Sequence, residues 1–520
     1  MDELPVRGPG ARALVSGTAL LFAARLLTAG LALVQTMLLA SIFGTSASTD
    51  AYFVASAVSL MFAGPIETVL NMAFQPVYVH AVESEGQAAA WRNAAGLFRV
   101  GLFLTGLLSV VIIALSPWVS VLVAPGFDAV ATAQAAQIIR VTAPIIFFIY
   151  AASFLASLEF IEGRSFLPSA GMVVSSVTGP LALFWFGRQY GVVALAWGAL
   201  VGSMLRCALL MRPPHVRRLL GPGIPVRDPL MRRIGGMMAS RLATSLFLEV
   251  NLLVDRIFAS LLGPGFISAL AYASRAVITV VRIFMMPMGR MLLPWLSRLA
   301  AREQYERMRA LVEKLVIATA FVLVPLVAFI VAFRAEILAM VFGRGAFDQA
   351  AVNATSVALL YFSLGIIPFL VAPLLSAVFF SLKDSATPLR TGLICVVANA
   401  VLDAVLMVPM GHGGIALSTS LTGAVRAAML WFYLRRRIGA LQSRSVLGSL
   451  VVSGATAGVA FWGARLIVSP AGPGWAEPVW QLATYALVGG LGYLVLQQLF
   501  NRPVARLIPA VLGRLAAERS

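Results

Sequence analysis

Three arginines stand in one apolar stretch, YASRAVITVVRIFMMPMGRMLLPWL (272 to 296): Arg275, Arg282 and Arg290. At ~100° per residue all three fall within a helical stripe about 80° wide. A guanidinium in hydrocarbon costs several kcal/mol unless it is paired or faces water, so the stripe must look into the protein. Arg290 lies about 22 Å from Arg275 along the helix, close to one end, where it can snorkel. Arg275 and Arg282 are deeper. Arg25 and Arg241 add cations within other apolar segments, while Glu67, Glu249, Asp255 and Asp403 supply acids. Forked guanidinium donors in a low-dielectric cavity suit a phosphate or diphosphate. The competing reading is a structural ion pair, as between Arg241 and Glu249, two turns apart on one helix. The stretch that carries Arg275 and Arg282 has no acid of its own.

A membrane is what makes these charges informative. Of 520 residues, 60% are hydrophobic and 12% charged, and the mean hydropathy is +0.92. Apolar runs long enough to cross a ~30 Å hydrocarbon core recur along the whole chain. Fourteen are expected, including segments at 234 to 262 and 350 to 381. The fold class is therefore all-α and polytopic. Arg7 and Arg12 precede an apolar run that continues to Phe43, longer than a signal-peptide core, so it reads as a retained helix. Cys207 and Cys395 fall inside expected spans and suggest no disulfide.

The net charge of +18 is a matter of topology. Basic residues collect in RPPHVRRLLGPGIPVRDPLMRR (212 to 233), SRLAAREQYERMR (297 to 309), RRR (435 to 437) and the tail from Arg502, whereas FGTSAST, LLGPGFIS and PMGHGG carry none. This is the positive-inside pattern with both termini in the cytoplasm. The basic loops also suit anionic headgroups. Nucleic acid is not an expected partner.

The chain repeats itself. ASIFGTSASTDAYFVASAV (from Ala40) lies over ASLLGPGFISALAYASRAV (from Ala259), Pro168 over Pro388, and the segment from Gly191 over that from Gly413. These offsets lie close to 220 residues. The reading is two pseudo-symmetric six-helix lobes, 1–220 and 221–445, followed by two further helices and a tail (446–520). An even number of crossings relates the lobes by an axis along the membrane normal, with the substrate cavity expected between them. Helix 350–381 carries Pro368 and Pro373, which remove backbone donors and favour a kink there.

Two other classes fit poorly. A cation-drug antiporter wants an acidic cavity, against the arginine stripe. A membrane glycosyltransferase wants an acid pair or metal site on a sizeable loop, and the sequence has no Asp-x-Asp, His cluster or nucleophile motif. An enzyme is not expected.

STDAYFVA, Glu67 followed by AFQP, AYASRAV, MGRMLLPWLSR, VFGRGAFD and LKDSATP occur in that order. With them the chain resembles the MurJ/MviN family of lipid-linked glycan flippases, of the MOP exporter superfamily, over nearly its full length. The resemblance implies a protein of the bacterial cytoplasmic membrane; a monomer is expected, though the sequence leaves the oligomeric state open. It would move lipid II, an undecaprenyl-pyrophosphate-linked disaccharide pentapeptide, to the outer leaflet by alternating access for peptidoglycan synthesis. The last two helices are implied to hold a groove for the lipid tail. Carried over residue by residue, Arg275 falls on an arginine thought to meet the pyrophosphate, Glu67 on an acid of the second helix, Asp50 on the Thr-Asp pair that opens that helix, and Arg25 on an arginine of the first. Elsewhere the chain departs from the family. LVQTML stands where the family has an Arg-Asp pair, FAGP where it has an arginine pair before Glu67, and the acid one turn after Arg275 is missing. Arg241 and Arg282 are expected to restore positive charge from other positions. A relative that flips an exopolysaccharide or O-antigen repeat would keep the pyrophosphate contact and change the sugar contacts, and is the second reading.

The resemblance also implies a sodium site. Asn399 and Asp403, four residues apart, share one helical face. Some family members hold Na⁺ with an Asp on the seventh helix, such an Asn-x-x-x-Asp pair, and a Thr plus a backbone carbonyl on the twelfth. Here these would be Asp255, Asn399, Asp403, Thr419 and the carbonyl of Ile415. Hard oxygen ligands suit a hard cation, and Na⁺ is the expected coupling ion. The bland alternative pairs Asp255 with its neighbour Arg256.

Overall fold

Runs of Leu, Val, Ala and Phe broken by Gly and Pro make a chain of helices. The computed structural model describes residues 11–221, 223, 229–467 and 477–500. The helices are α1 (Ala11–Phe43), α2 (Ala47–Val69), α3 (Gln75–Glu85), α4 (Gln87–Ala114), α5 (Ser116–Val123), α6 (Ala129–Thr142), α7 (Pro144–Ile161), α8 (Phe166–Tyr190), α9 (Val193–Leu210) and α10 (Pro213–Leu220). There follow α11 (Pro229–Ser260), α12 (Phe266–Ala301), α13 (Tyr305–Ala332), α14 (Arg334–Phe342), α15 (Gln349–Leu364), α16 (Ile366–Ser381), α17 (Ala386–Met410), α18 (His412–Ile438), α19 (Ser443–Ile467) and α20 (Glu477–Phe500). A π turn, Leu70–Phe74, joins α2 to α3. Among the described residues no strand occurs.

Thirteen helices among the described residues are long and apolar enough to cross a membrane. The protein is a multi-pass membrane protein. The expected segment at 234 to 262 falls on α11, whose 32 residues span about 48 Å at 1.5 Å each.

Two compact units emerge from the packing. One runs through Ser268 and takes in Gly345–Phe347; the other holds Ala269–Arg344 and the chain from Asp348. In the first, α8 packs between α1 and α9, and α2 lies against α6, α7 and α11. An aromatic cluster fills its interior, with Phe74 and Phe154 4.4 Å apart and the Tyr150 hydroxyl donating to the Leu97 carbonyl at 2.9 Å. In the second, Leu296, Met308, Val312, Leu375, Phe379, Leu430 and Leu434 form a continuous core. The last two helices belong to it: Phe333 stacks on Tyr485 of α20 at 4.2 Å, beside Phe461 of α19.

Local devices recur about 220 residues apart. Asp128 and Asp348 cap α6 and α15 by accepting from Ala131 N and Ala351 N. Gly163 N donates to Phe160 O and Arg164 N to Glu159 O; Lys383 N and Asp384 N do the same to Phe380 O and Phe379 O. Gly163 and Lys383 both take positive φ to close that turn. The kink expected at Pro368 and Pro373 is a break at Gly365, between α15 and α16. Pro368 has no N–H for the Leu364 carbonyl, so the helix parts one turn before it. Pro144 stands at the matching break after α6.

In VFGRGAFD, Gly345 has φ +63° and lies against Ser41, where a Cβ would overlap the Ser41 carbonyl. Ala346 N donates to that carbonyl at 2.8 Å. Gly345→Ala is expected to destabilise the protein by about 1–2 kcal/mol from backbone strain alone, and by more once the overlap is counted. Thermal melts in detergent, with Gly458→Ala as the control because a Cβ there meets nothing within 4 Å, check this.

Candidate functional site

Asp50 stands in the first turn of α2 behind Ser46, whose hydroxyl caps that helix. It is 0% exposed. Its Oδ2 accepts from Gly265 N at 2.5 Å and its Oδ1 from Ser268 N at 2.7 Å. Those amides open α12, the helix of the arginine stripe. Amides at a helix start lack intrahelical acceptors, and a carboxylate there also complements the helix dipole. The buried carboxylate therefore fixes where the arginine helix begins.

Truncation to Asp50→Ala leaves two buried amides without acceptors and is expected to cost about 2–3 kcal/mol. The thermal midpoint should fall together with transport. A loss of transport at unchanged stability would instead mean that Asp50 touches the substrate and not the helix.

The other sequence-derived residues of the first unit are placed as follows. Arg25 is exposed on α1, and Glu67 is half-buried near the end of α2. Glu249 of α11 faces α2, its Oε1 3.8 Å from where a Cβ on Gly64 would stand. Gly64 belongs to FAGP, where the resembled family has arginines, so an acid approaches this position. Asp255 is half-buried on α11, and its neighbour Arg256 donates from Nη1 to the Phe53 carbonyl. The side chain of Arg241 lies outside the described residues.

In the second unit, Arg275 is half-buried and Arg282 exposed on α12. Thr279 donates to the Arg275 carbonyl at 2.8 Å. The side chain of Arg290 lies outside the described residues.

The α17–α18 seam holds a polar core. Asn399 and Asp403 are each 0% exposed. Asn399 Nδ2 donates to Asp403 Oδ2 at 2.9 Å, the Ser418 hydroxyl donates to Asp403 Oδ1, and the Thr422 hydroxyl donates to Asn399 Oδ1 at 3.0 Å. The Ile415 carbonyl accepts from Ser418 at 2.8 Å and from Thr419 at 3.1 Å. Thr419 thus bonds the Ile415 carbonyl of its own helix, and the residues that the structure joins to Asn399 and Asp403 across the seam are Thr422 and Ser418. Their signal in the sequence was STSLT, polar residues at i and i+4 in the first half of α18. A carboxylate, an amide oxygen, a carbonyl and hydroxyls form a hard, wholly oxygen donor set, which fits an alkali cation better than a transition metal.

LKDSATP, quoted for the resemblance, is a capping turn before α17: Thr387 donates from N and Oγ1 to the Asp384 carboxylate at 3.0 and 2.8 Å. Burial raises the pKa of Asp384, but the hydrogen bonds from Thr387 outweigh it and hold the carboxyl below its usual range.

A chain of membrane-crossing helices with matched breaks is a fold also found among solved membrane transporters. Similar solved structures include an inward-facing multidrug resistance MATE family transporter of the MOP superfamily, 16% identical with a TM-score of 0.63 over 78% of this chain and 94% of that one. Another is a lipid II flippase MurJ in an inward closed conformation, 20% identical with a TM-score of 0.79 over 94% of this chain and 99% of that one. Within this class, the family model described as lipid II flippase MurJ matches residues 39–474, and the chain belongs to that family. Its relatives include the lipid II flippase MurJ of Burkholderia cenocepacia, 26% identical over 418 residues, 78% of this chain and 80% of the relative. The probable lipid II flippase MurJ of Thermotoga maritima is 27% identical over 392 residues, 75% of this chain and 79% of the relative.

Proposed function

We propose that the protein carries lipid II from the cytoplasmic to the outer leaflet of the bacterial cytoplasmic membrane by alternating access, with both termini in the cytoplasm. The observation that carries this reading is a cationic face on α12, Arg275 and Arg282, in a helix whose start is pinned by buried Asp50. Guanidinium forks match the two phosphates that every undecaprenyl-pyrophosphate carrier presents, whatever its sugar. Arg25, Glu67 and Arg241 are the remaining expected contacts to the headgroup. Na⁺ held by Asn399, Asp403, Ile415 and Thr419, with Asp255 as the further ligand implied by the resemblance, would drive the cycle if its affinity differs between states.

One observation favours the second reading, an exopolysaccharide or O-antigen carrier. Glu249 approaches Gly64, where the resembled family has arginines, which changes the contacts open to sugar and peptide while leaving Arg275 in place.

Full-length protein in vesicles loaded with labelled lipid II separates the two readings. Lipid II should move between leaflets at a protein-dependent rate, and an undecaprenyl-linked exopolysaccharide unit should move more slowly. The reverse order would establish the second reading.

A further inference from the structure

Outside the sites above, the end of α7 and the short helix α10 enclose a cluster of Glu159, Glu162 and His215. One ligand atom from each lies within 4.8 Å of the others. Glu159 is 0% exposed and His215 3%. His215 Nε2 meets Glu162 Oε1 at 2.9 Å, and Trp91 packs on the ring with centroids 5.6 Å apart. Arg218 lies 5.0 Å above that indole, and the imidazole is held by Trp91 on its face and by Glu162 at Nε2. A neutral ring that donates Nε2–H to Glu162 keeps a lone pair on Nδ1. This buried Nδ1 has no hydrogen-bond partner, yet it points at Glu159 Oε1, 3.4 Å away. Two lone pairs facing each other in a buried site repel unless a proton or a metal cation lies between them.

We infer that Glu159 and His215 Nδ1 bind a divalent transition cation, with Glu162 orienting the ring from its far side. The spacing is that of a metal site: bonds of about 2.0–2.1 Å at a tetrahedral angle put neighbouring ligand atoms about 3.3 Å apart. A carboxylate holding the second nitrogen of a ligating histidine is the usual outer support of such sites. One imidazole nitrogen with carboxylate oxygens selects Zn²⁺ over Mg²⁺. Arg212 competes for the place. Its Nη1 lies 3.3 and 3.5 Å from the two Glu159 oxygens, at the long limit of hydrogen bonding, and its side chain is 36% exposed. It can leave when the ion enters, and Arg164, 2.8 Å from Glu162, keeps the second carboxylate balanced. The ion would tie α10, which leads toward α11, to the end of α7.

The test is Zn²⁺ uptake by the full chain, purified in detergent, free of tag and stripped with chelator. One Zn²⁺ per chain is expected by elemental analysis after dialysis, retained against excess Mg²⁺. Calorimetric titration should show His215→Gln and Glu159→Gln weakened at least tenfold. Arg212→Ala keeps both ligands and should bind Zn²⁺ at least as tightly as the unmodified protein. Absence of stoichiometric Zn²⁺ in the unmodified protein, undiminished binding by His215→Gln, or weaker binding by Arg212→Ala would each overturn the site and leave an ion-paired histidine. Should the ligand variants not fold, uptake by the unmodified protein and by Arg212→Ala still decides.

Discussion

Substituting Gln for both Arg275 and Arg282 is expected to reduce lipid II flipping in reconstituted vesicles to background while the protein still folds and inserts. Each guanidinium that meets a phosphate away from bulk water contributes about 2 kcal/mol, roughly thirtyfold. The two substitutions together should approach a thousandfold if they act independently. Burial sets their order. Arg275 is half-buried and Arg282 exposed, so Arg275→Gln alone should cost more than Arg282→Gln, because a desolvated charge pair is screened less. Arg290→Gln should change the rate little, since a residue near the end of the helix reaches interfacial water. Flipping at the normal rate by the double variant would remove the diphosphate from this helix.

Asp403→Asn is expected to make transport indifferent to Na⁺ while binding of the lipid at the arginines persists. Asparagine keeps the shape and one carbonyl oxygen, so the link to Asn399 can re-form by an amide rotation, but the charge that would hold the cation is gone. Affinity for Na⁺ should fall at least tenfold, about 1.4 kcal/mol or more. Thr422→Val should act in the same direction more weakly, because it removes the hydroxyl that donates to Asn399 Oδ1 without touching the charge. The comparison is flipping in Na⁺ against K⁺ or choline at fixed membrane potential and pH gradient. Equal rates for the unmodified protein in all three would make the α17–α18 polar core purely structural.

The membrane-spanning helical architecture could be read from hydropathy alone, since twenty-residue apolar runs have few other uses. Proline chemistry located the bend in the 350–381 segment to within one turn, but the break came at Gly365, next to the Leu364 carbonyl that Pro368 leaves without a donor. Features that depend on contacts distant in the chain were not legible. Asp50 is separated by 215 residues from the Gly265 amide that it accepts from, and nothing near it announces a partner. Glu159 and Glu162 meet Arg212 and His215 across 53 residues, so a search for clustered histidines passes over them. Asn399 and Asp403 were visible because their helical spacing is local. Ser418 and Thr422, which satisfy them from the neighbouring helix, required knowing that α17 and α18 pack together.

The function itself rests on which lipid-linked glycan the cell can no longer export without this protein. Depletion in the native host, followed by extraction of the undecaprenyl-linked intermediates and measurement of those retained in the cytoplasmic leaflet, reads it directly. Lipid II should accumulate there within the time taken to lose the protein, and the Arg275→Gln, Arg282→Gln double variant should fail to clear it. Accumulation of an exopolysaccharide or O-antigen intermediate, with lipid II unchanged, would contradict the proposed substrate.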